Sequence, residues 1–274
     1  MLIPALAMAL LQSAAATTFA PPLDQPLLLT TERVETEGSE RRSYRIQVRM
    51  RFARDGDGYR AELVVVEAGG AAGRMESAMF ETGLSGLAGR TIRFRLDRAG
   101  RVVAITDRAE LWHDFCVGLA RVMAASKAAD PDARARLEAR FVAPLEALPP
   151  ERQIALLASL LTPAFASEAG DQPAGSTRAV RLPGRSAYGG AAPLDGARTV
   201  SRGADIQRVV TRAHGTVPAP DGSPARIVLT IEERSDPATG LILQRRETRE
   251  TQRAADGRRM AAVKTITLGP APVE

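Results

Sequence analysis

The sequence predicts an α+β fold in which an antiparallel β-meander curls as a half-barrel around two to three helices inserted mid-chain. Three observations predict it. Arg45 to Phe52 alternate polar and apolar residues strictly, similar hairpins recur at both ends of the chain, and between them the hydrophobic period switches from two to about 3.6.

The first strand block spans residues 27–105. Ile46, Val48, Met50 and Phe52 fall on one face of their strand and Arg45, Gln47, Arg49 and Arg51 on the other. Asp55-Gly56-Asp57-Gly58 then turns the chain, and Tyr59, Ala61, Leu63 and Val65 continue the apolar face on the partner strand. A Gly/Ala-rich break is expected at residues 68–73. Thr91 to Leu96 alternate again, turn at Asp97-Arg98-Ala99-Gly100, and return as Val102 to Ile105. The Asp-x-x-Gly form suits a type I turn followed by a left-handed glycine.

The helical block spans residues 107–165. Asp107 followed by Glu110 has the form of a capping box, and Leu111, Phe115, Leu119 and Val122 form a helical stripe that Trp112, Cys116 and Met123 widen. Asp130-Pro131 predicts the start of a second helix that carries Leu137 and Phe141 and stops near Pro144. A third is expected from Pro150 to Pro163, with Ile154, Leu157 and Leu161 inward. A Gly/Ser/Pro-rich loop follows at residues 167–176.

The second strand block spans residues 177–268. Its expected strands are Thr177 to Leu182, Thr199 to His214, Ala225 to Arg234, Leu241 to Arg253 and Met260 to Leu268. Turns at Asp221-Gly222, at Asp236 to Gly240 and at Asp256-Gly257 make the last three a meander. Ile227, Leu229 and Ile231 form an apolar face. Glu247 to Arg253 is polar on both faces, which predicts an exposed or edge strand guarded by charge.

Met1 to Leu11 is an apolar run without acidic residues, and the small residues up to Ala16 and Ala20 suit a signal peptidase. Residues 1–20 are therefore expected to be an export signal, cut after Ala16 or Ala20, and residues 21–274 a single domain in the periplasm or outside the cell. The Pro21 that follows Ala20 makes the second position less comfortable. No apolar run reaches the roughly 18 residues that a spanning helix needs. The chain is 45% hydrophobic and 25% charged, enough to bury a full core.

A net charge of +5 and a pI near 10.1 raise the question of nucleic acid. The excess is diffuse, however, and almost wholly arginine, with Lys127 and Lys264 the only lysines and no Asn, as coding bias would produce. Aromatic residues make up 4% and offer few stacking platforms, so nucleic-acid binding is not expected.

No catalytic constellation emerges. Gly83-Leu84-Ser85-Gly86-Leu87 misplaces the second glycine of a nucleophile elbow, and Gly184-Arg185-Ser186-Ala187-Tyr188 lacks it. The glycines at residues 69–73 are not followed by Gly-Lys-Ser/Thr, so no phosphate-cradling loop is indicated. His113 and Cys116 share a helix face, but two ligands do not make a zinc site and Cys116 is the only cysteine. Cys116 is expected to be a buried small apolar residue, and His113 to be solvated. The expectation is a non-enzymatic protein with no cofactor, no metal and no disulfide.

The order of strands, helices and strands over residues 27–268, with the export signal and the Asp-x-x-Thr-Gly turn at Asp236 to Gly240, resembles the half-barrel envelope carriers of the LolA/LolB type and related exported bacterial proteins. The resemblance implies an apolar or acyl ligand in the concave face. Ile46, Val48, Met50, Phe52, Ile92, Phe94, Ile227 and Leu229 would then line it. LolB is lipid-anchored, and this chain has no cysteine after the apolar run, so the anchored role does not carry over. The alternative expectation is a closed envelope module whose apolar faces pack on the helices and take no ligand.

Overall fold

A computed structural model of the chain describes residues 19–70, 84, 86–126, 132, 135–136, 138–167, 172–185, 191–219 and 222–272. Its strands are β1 (Leu27–Glu37), β2 (Glu40–Asp55), β3 (Gly58–Gly70), β4 (Thr91–Leu96), β5 (Val102–Ile105), β6 (Thr177–Arg185), β7 (Ala191–Arg202), β8 (Gln207–Pro218), β9 (Pro224–Asp236), β10 (Leu241–Arg253) and β11 (Arg259–Pro270). They form one eleven-stranded sheet in the order β5-β4-β3-β2-β1-β11-β10-β9-β8-β7-β6. Each neighbouring pair is antiparallel. The first and last strands thus meet in the middle of the sheet, while β5 and β6 are its edges. Laid flat, these edges would stand about 48 Å apart. Residues 106–176 connect them, so the helical block crosses one face, and the sheet curls around it.

The alternation read at Arg45 to Phe52 sets the register. Val48, Met50 and Phe52 are buried, and their partners Leu29, Leu27, Leu63 and Ala61 turn to the same face. Ile92 and Phe94 continue it on β4. Full burial of a side chain such as Phe52 or Phe94 is worth about 2 kcal/mol. β3 runs on through Gly70 into the expected Gly/Ala break, and residues 71–73 lie outside the described residues. The turn at Asp97 forms as expected. Gly100 has φ +79°, its N–H bonds the Asp97 carbonyl at 3.0 Å, and Asp97 Oδ1 accepts from the N–H groups of Ala99 and Arg101. Although partial desolvation opposes it, these bonds and the Arg101 guanidinium hold the Asp97 carboxyl below its usual range.

The helices are α1 (Arg108–Ser126), α2 (Ala143–Glu146) and α3 (Pro150–Ala158), with a 3₁₀ turn at Thr162–Ala164. Leu111, Trp112, Phe115, Cys116 and Leu119 are buried against the sheet as the stripe predicts. The side chains of Val122 and Met123 lie outside the described residues. Trp112 stacks on Phe115 at 5.2 Å and donates its indole N–H to the Leu145 carbonyl at 3.1 Å, tying α1 to α2.

The helical block departs from the sequence reading in two places. Glu110 does not reach back to close a capping box. Its carboxylate accepts from Arg90 at 2.6 Å, and Asp107 sits in the left-handed region with φ +52°. The second helix does not stop at Pro144 either. The backbone widens into a π-turn at Glu138–Val142 and then continues as α2 with Pro144 in its first turn. Pro144 has no N–H to give and its ring would crowd the preceding turn, so the wider turn comes just before it. The expected start at Asp130-Pro131 and the side chains of Leu137 and Phe141 lie outside the described residues.

The second strand block holds one more strand than its sequence suggests. Thr199 to His214 is two strands, β7 and β8, turned at residues 203–206 with the Gly203 N–H bonded to the Ile206 carbonyl at 2.8 Å. β7 begins at Ala191, in a stretch of Ala, Pro and Gly with little strand propensity. β10 is no edge strand, since it lies between β9 and β11. The true edge is β6, guarded by Arg178, Arg181, Arg185 and Pro183.

Candidate functional site

The cross-strand registers put the inward residues of all eleven strands on one concave face, which divides into three zones. The first is the helix-covered core under β1 to β5. Val48, Met50, Phe52, Ile92 and Phe94 are buried in it beside Leu119 of α1, and Ile46 packs against it half-buried. Phe19 closes the end of this zone. Its ring meets those of Phe52, Tyr59 and Phe165 edge-on at 5.9, 5.1 and 5.1 Å, and its carbonyl accepts the Tyr59 hydroxyl at 3.0 Å.

The second zone is the far end of the sheet, β6 to β9. Ile227 and Leu229 are buried there with Leu194, Ala213, Val217 and Ala225, and Leu182 packs against them half-buried. This cluster is built from strands alone. Small inward residues let the strands roll tightly. A Cβ on Gly196 would lie 2.0 Å from the Arg212 carbonyl oxygen, and one on Gly184 2.5 Å from Leu194 Cγ. The roll brings Arg249 of β10 within 3.5 Å of the Arg185 carbonyl at the end of β6. Four strand spacings would separate those strands by about 19 Å in a flat sheet, yet one arginine side chain bridges them.

The third zone is a charged stripe between the other two. Arg33 of β1, Lys264 of β11 and Glu247 of β10 are successive partners across the sheet, and Ile231 of β9 follows Glu247 in the same row. Arg33 pairs with Glu35 at 2.5 Å and Arg249 with Glu247 at 3.0 Å. Arg245 stands 3.9 Å from the buried carboxylate of Glu233, whose other oxygen accepts the Ser167 N–H at 2.8 Å. Lys264 forms no ion pair or hydrogen bond with a described residue. Burial pushes its ammonium below the usual lysine range, against the pull of Glu247 and with the push of Arg245 and Arg33.

A cavity of about 410 Å³ opens on this stripe where the chain leaves the helical block. Ala166 N–H bonds the Gly240 carbonyl at 2.9 Å and Phe165 bridges to Leu241, so residues 165–167 are laid over β9 and β10. The cavity is lined by the apolar Pro163, Phe165 and Ile266 and by the polar Ser167, Arg245, Lys264 and Glu247. The Ser167 hydroxyl is buried and has no hydrogen-bond partner among the described residues. A larger cavity of about 770 Å³ lies by the β10–β11 turn, lined mainly by outward residues such as Thr36, Val228 and Glu250.

The structure therefore separates the eight residues that the sequence suggests as ligand-lining. Six lie in or against the helix-covered core, and Ile227 and Leu229 belong to the strand-only cluster. The sequence reading missed the charged stripe. Its signal was present, because Lys264 is one of two lysines in an arginine-rich chain and occupies an inward position of its strand.

The residues weighed for chemistry lie apart from this site. His113 and His214 are exposed, and Cys116 is buried with its thiol pushed up to about 11 by desolvation. Ser85 and Ser186 lie outside the described residues. Among the described residues no group of His, Cys, Asp and Glu is placed to hold a metal ion, and no helix is long and apolar enough to cross a membrane.

No protein-family model and no curated protein matches the sequence. Among solved structures, similarity extends to lipovitellin, characterised for its lipid–protein interactions, at 10% identity and a TM-score of 0.42, covering 92% of this chain and 26% of that one. The chain thus spans about a quarter of the lipovitellin chain. A domain from Vibrio parahaemolyticus named for outer membrane lipoprotein sorting is similar at 9% identity and a TM-score of 0.19, covering 91% of this chain and 87% of that one. A LolA superfamily protein from Nitrosomonas europaea is similar at 8% identity and a TM-score of 0.19, covering 94% and 91%. LolA-type proteins, the group that the element order resembles, are therefore among the structural neighbours of this chain.

Proposed function

We propose that this protein is an exported, non-enzymatic carrier that holds an apolar or acyl ligand on the concave face of its sheet. The observation that carries the reading is the strand-only apolar lining of β6 to β9, which faces inward with no described helix in its cluster. The residues of this cluster are almost fully buried, Ile227 at 0% and Leu229 at 4% exposed, so the rolled strands shelter the apolar face themselves and a ligand takes their place against it when the roll opens. Ile227 and Leu229 line the ligand in this reading. Ile46, Val48, Met50, Phe52, Ile92 and Phe94 support the sheet beneath the helices and would reach a ligand only if α1 moved away.

Displacement of a fluorescent long-chain fatty acid from lipid-stripped protein tests the reading. About ten buried methylenes at ~0.8 kcal/mol each are enough to offset the lower range of the association cost. Leu182→Gln, a change at a half-buried position on the edge strand, weakens binding while the fold survives. Simultaneous replacement of His113, Cys116 and His214 leaves binding intact, because none has a chemical role. A folded sample that binds no acyl probe favours the closed envelope module instead.

Export belongs to the same reading, with the mature chain beginning after Ala16. Ala14 and Ala16 provide the small residues that signal peptidase selects. A cut after Ala20 would remove Phe19, which is 7% exposed among three aromatic rings, and the Ala20 N–H that bonds the Thr239 carbonyl at 3.0 Å. The intact mass of protein purified from the source envelope checks this. A mass that starts at Pro21 would contradict it.

A further inference from the structure

We infer that the cavity beside residues 163–167 is a seat for an anion, and that the carrier's ligand is an anionic amphiphile whose charged group binds Lys264 and Arg245. The inference rests on the carrier reading and names the class of ligand. Three residues with donors line the cavity, Lys264, Arg245 and Ser167, beside one carboxylate, that of Glu247. Each is short of acceptors. Lys264 has no described partner, Arg245 reaches Glu233 only at 3.9 Å, and Ser167 Oγ is buried without a bond to a described residue.

The nearby carboxylates are otherwise engaged. Glu247 pairs with Arg249 at 3.0 Å and Glu35 with Arg33 at 2.5 Å, while Glu233 accepts the Ser167 N–H at 2.8 Å. The stripe therefore sets Arg33, Arg245, Arg249 and Lys264 against Glu35, Glu233 and Glu247, one cation in excess. An unpaired, desolvated ammonium is costly unless a counter-charge arrives.

The remaining wall suits the rest of an amphiphile. Phe165, Pro163 and Ile266 are apolar, and Glu247, the cross-strand partner of Lys264, is directly opposite Ile231, which packs against the strand-only cluster. A head group at Lys264 can thus extend its chain over the half-buried Ile231 and, once the roll opens, over Leu229 and Ile227, which are buried in the closed strands. A carboxylate of a free fatty acid and a phosphate of a phospholipid share the required charge.

The test displaces a fluorescent fatty acid from wild-type protein with oleate, oleyl alcohol and lysophosphatidylglycerol, and repeats the series with Lys264→Met and Lys264→Arg. Charge-assisted bonds predict that oleate or the lysophospholipid competes at least about tenfold better than the alcohol. Lys264→Met removes that preference, and Lys264→Arg keeps most of it. Whichever anion competes better identifies the source of the charge. Equal competition by oleate, the lysophospholipid and the alcohol, unchanged by Lys264→Met, overturns the anion seat while the carrier reading stands. Failure of all three to bind the folded wild-type protein overturns the carrier reading and the seat together.

Discussion

The two ends of the sheet reach burial by opposite means. Under β1 to β5, large side chains such as Met50, Phe52 and Phe94 meet the stripe of α1, and the core is filled by helix against sheet. Under β6 to β9, small residues such as Gly184, Gly196 and Ala213 let the strands roll until they shelter their own apolar face. The first solution yields stability and leaves little room. The second builds an apolar inner face with no described helix in its cluster, bordered by a charged stripe, and in the carrier reading proposed above this is the face that holds the ligand. In that reading, stability and ligand binding occupy different ends of one continuous sheet.

The largest effect is expected at the filled end. Met50→Asp places a charge in a 1% exposed position and should cost on the order of 3–5 kcal/mol, whereas Arg51→Asp on the outer face should stay within about 0.5 kcal/mol. Comparison of denaturant midpoints checks the pair, and similar losses would mean that the assigned inward face is wrong.

At the rolled end, Gly196→Ala puts a Cβ against the Arg212 carbonyl and should cost about 1–3 kcal/mol. It should also open the roll, so probe binding falls while α1 keeps its protection from hydrogen exchange. Loss of protection at both ends together would show that they are not separable.

A smaller effect, of opposite sign, is expected at the boundary between them. Lys264→Met should stabilise the ligand-free protein by about 1 kcal/mol at neutral pH, because a desolvated charge without a partner is removed. The sign follows from the lowered pKa. Between the folded and unfolded values the unfolded chain binds the extra proton, so wild-type stability rises with pH through that window, and the variant should lack this rise. A less stable Lys264→Met protein would mean that Lys264 is held by a partner in the free state.

Much of the filled end was legible in the sequence because its signals are local. The alternation at Arg45 to Phe52, the Asp97 to Gly100 turn and the Leu111 to Leu119 stripe each specify geometry within a few residues. The turn at Asp236 was equally plain, and its carboxylate bonds the Ala238 N–H at 2.8 Å and the Thr239 hydroxyl at 2.9 Å. The rolled end is hidden for a physical reason. Gly196 and Gly184 are required by strands that approach from elsewhere in the chain, so β7 reads locally as a poor strand although its tertiary setting demands those residues. The charge on β10 misled in a related way. Glu247 to Arg253 suggest an exposed or edge strand, whereas they lie in a central strand whose Glu247 and Arg249 join Arg245 in the inward polar stripe. Phe19 gave no signal, since a lone aromatic residue beside an apolar run carries no period.

Photolabelling locates the ligand that we propose along the strand-only end. A diazirine-bearing fatty acid is bound to lipid-stripped protein, irradiated, and its adducts mapped by peptide mass spectrometry. Adducts that unlabelled oleate suppresses are expected in β6, β7 and β9, around Leu182, Leu194 and Ile227. Adducts confined to β2, β4 and α1, or labelling that oleate does not suppress, would contradict that placement.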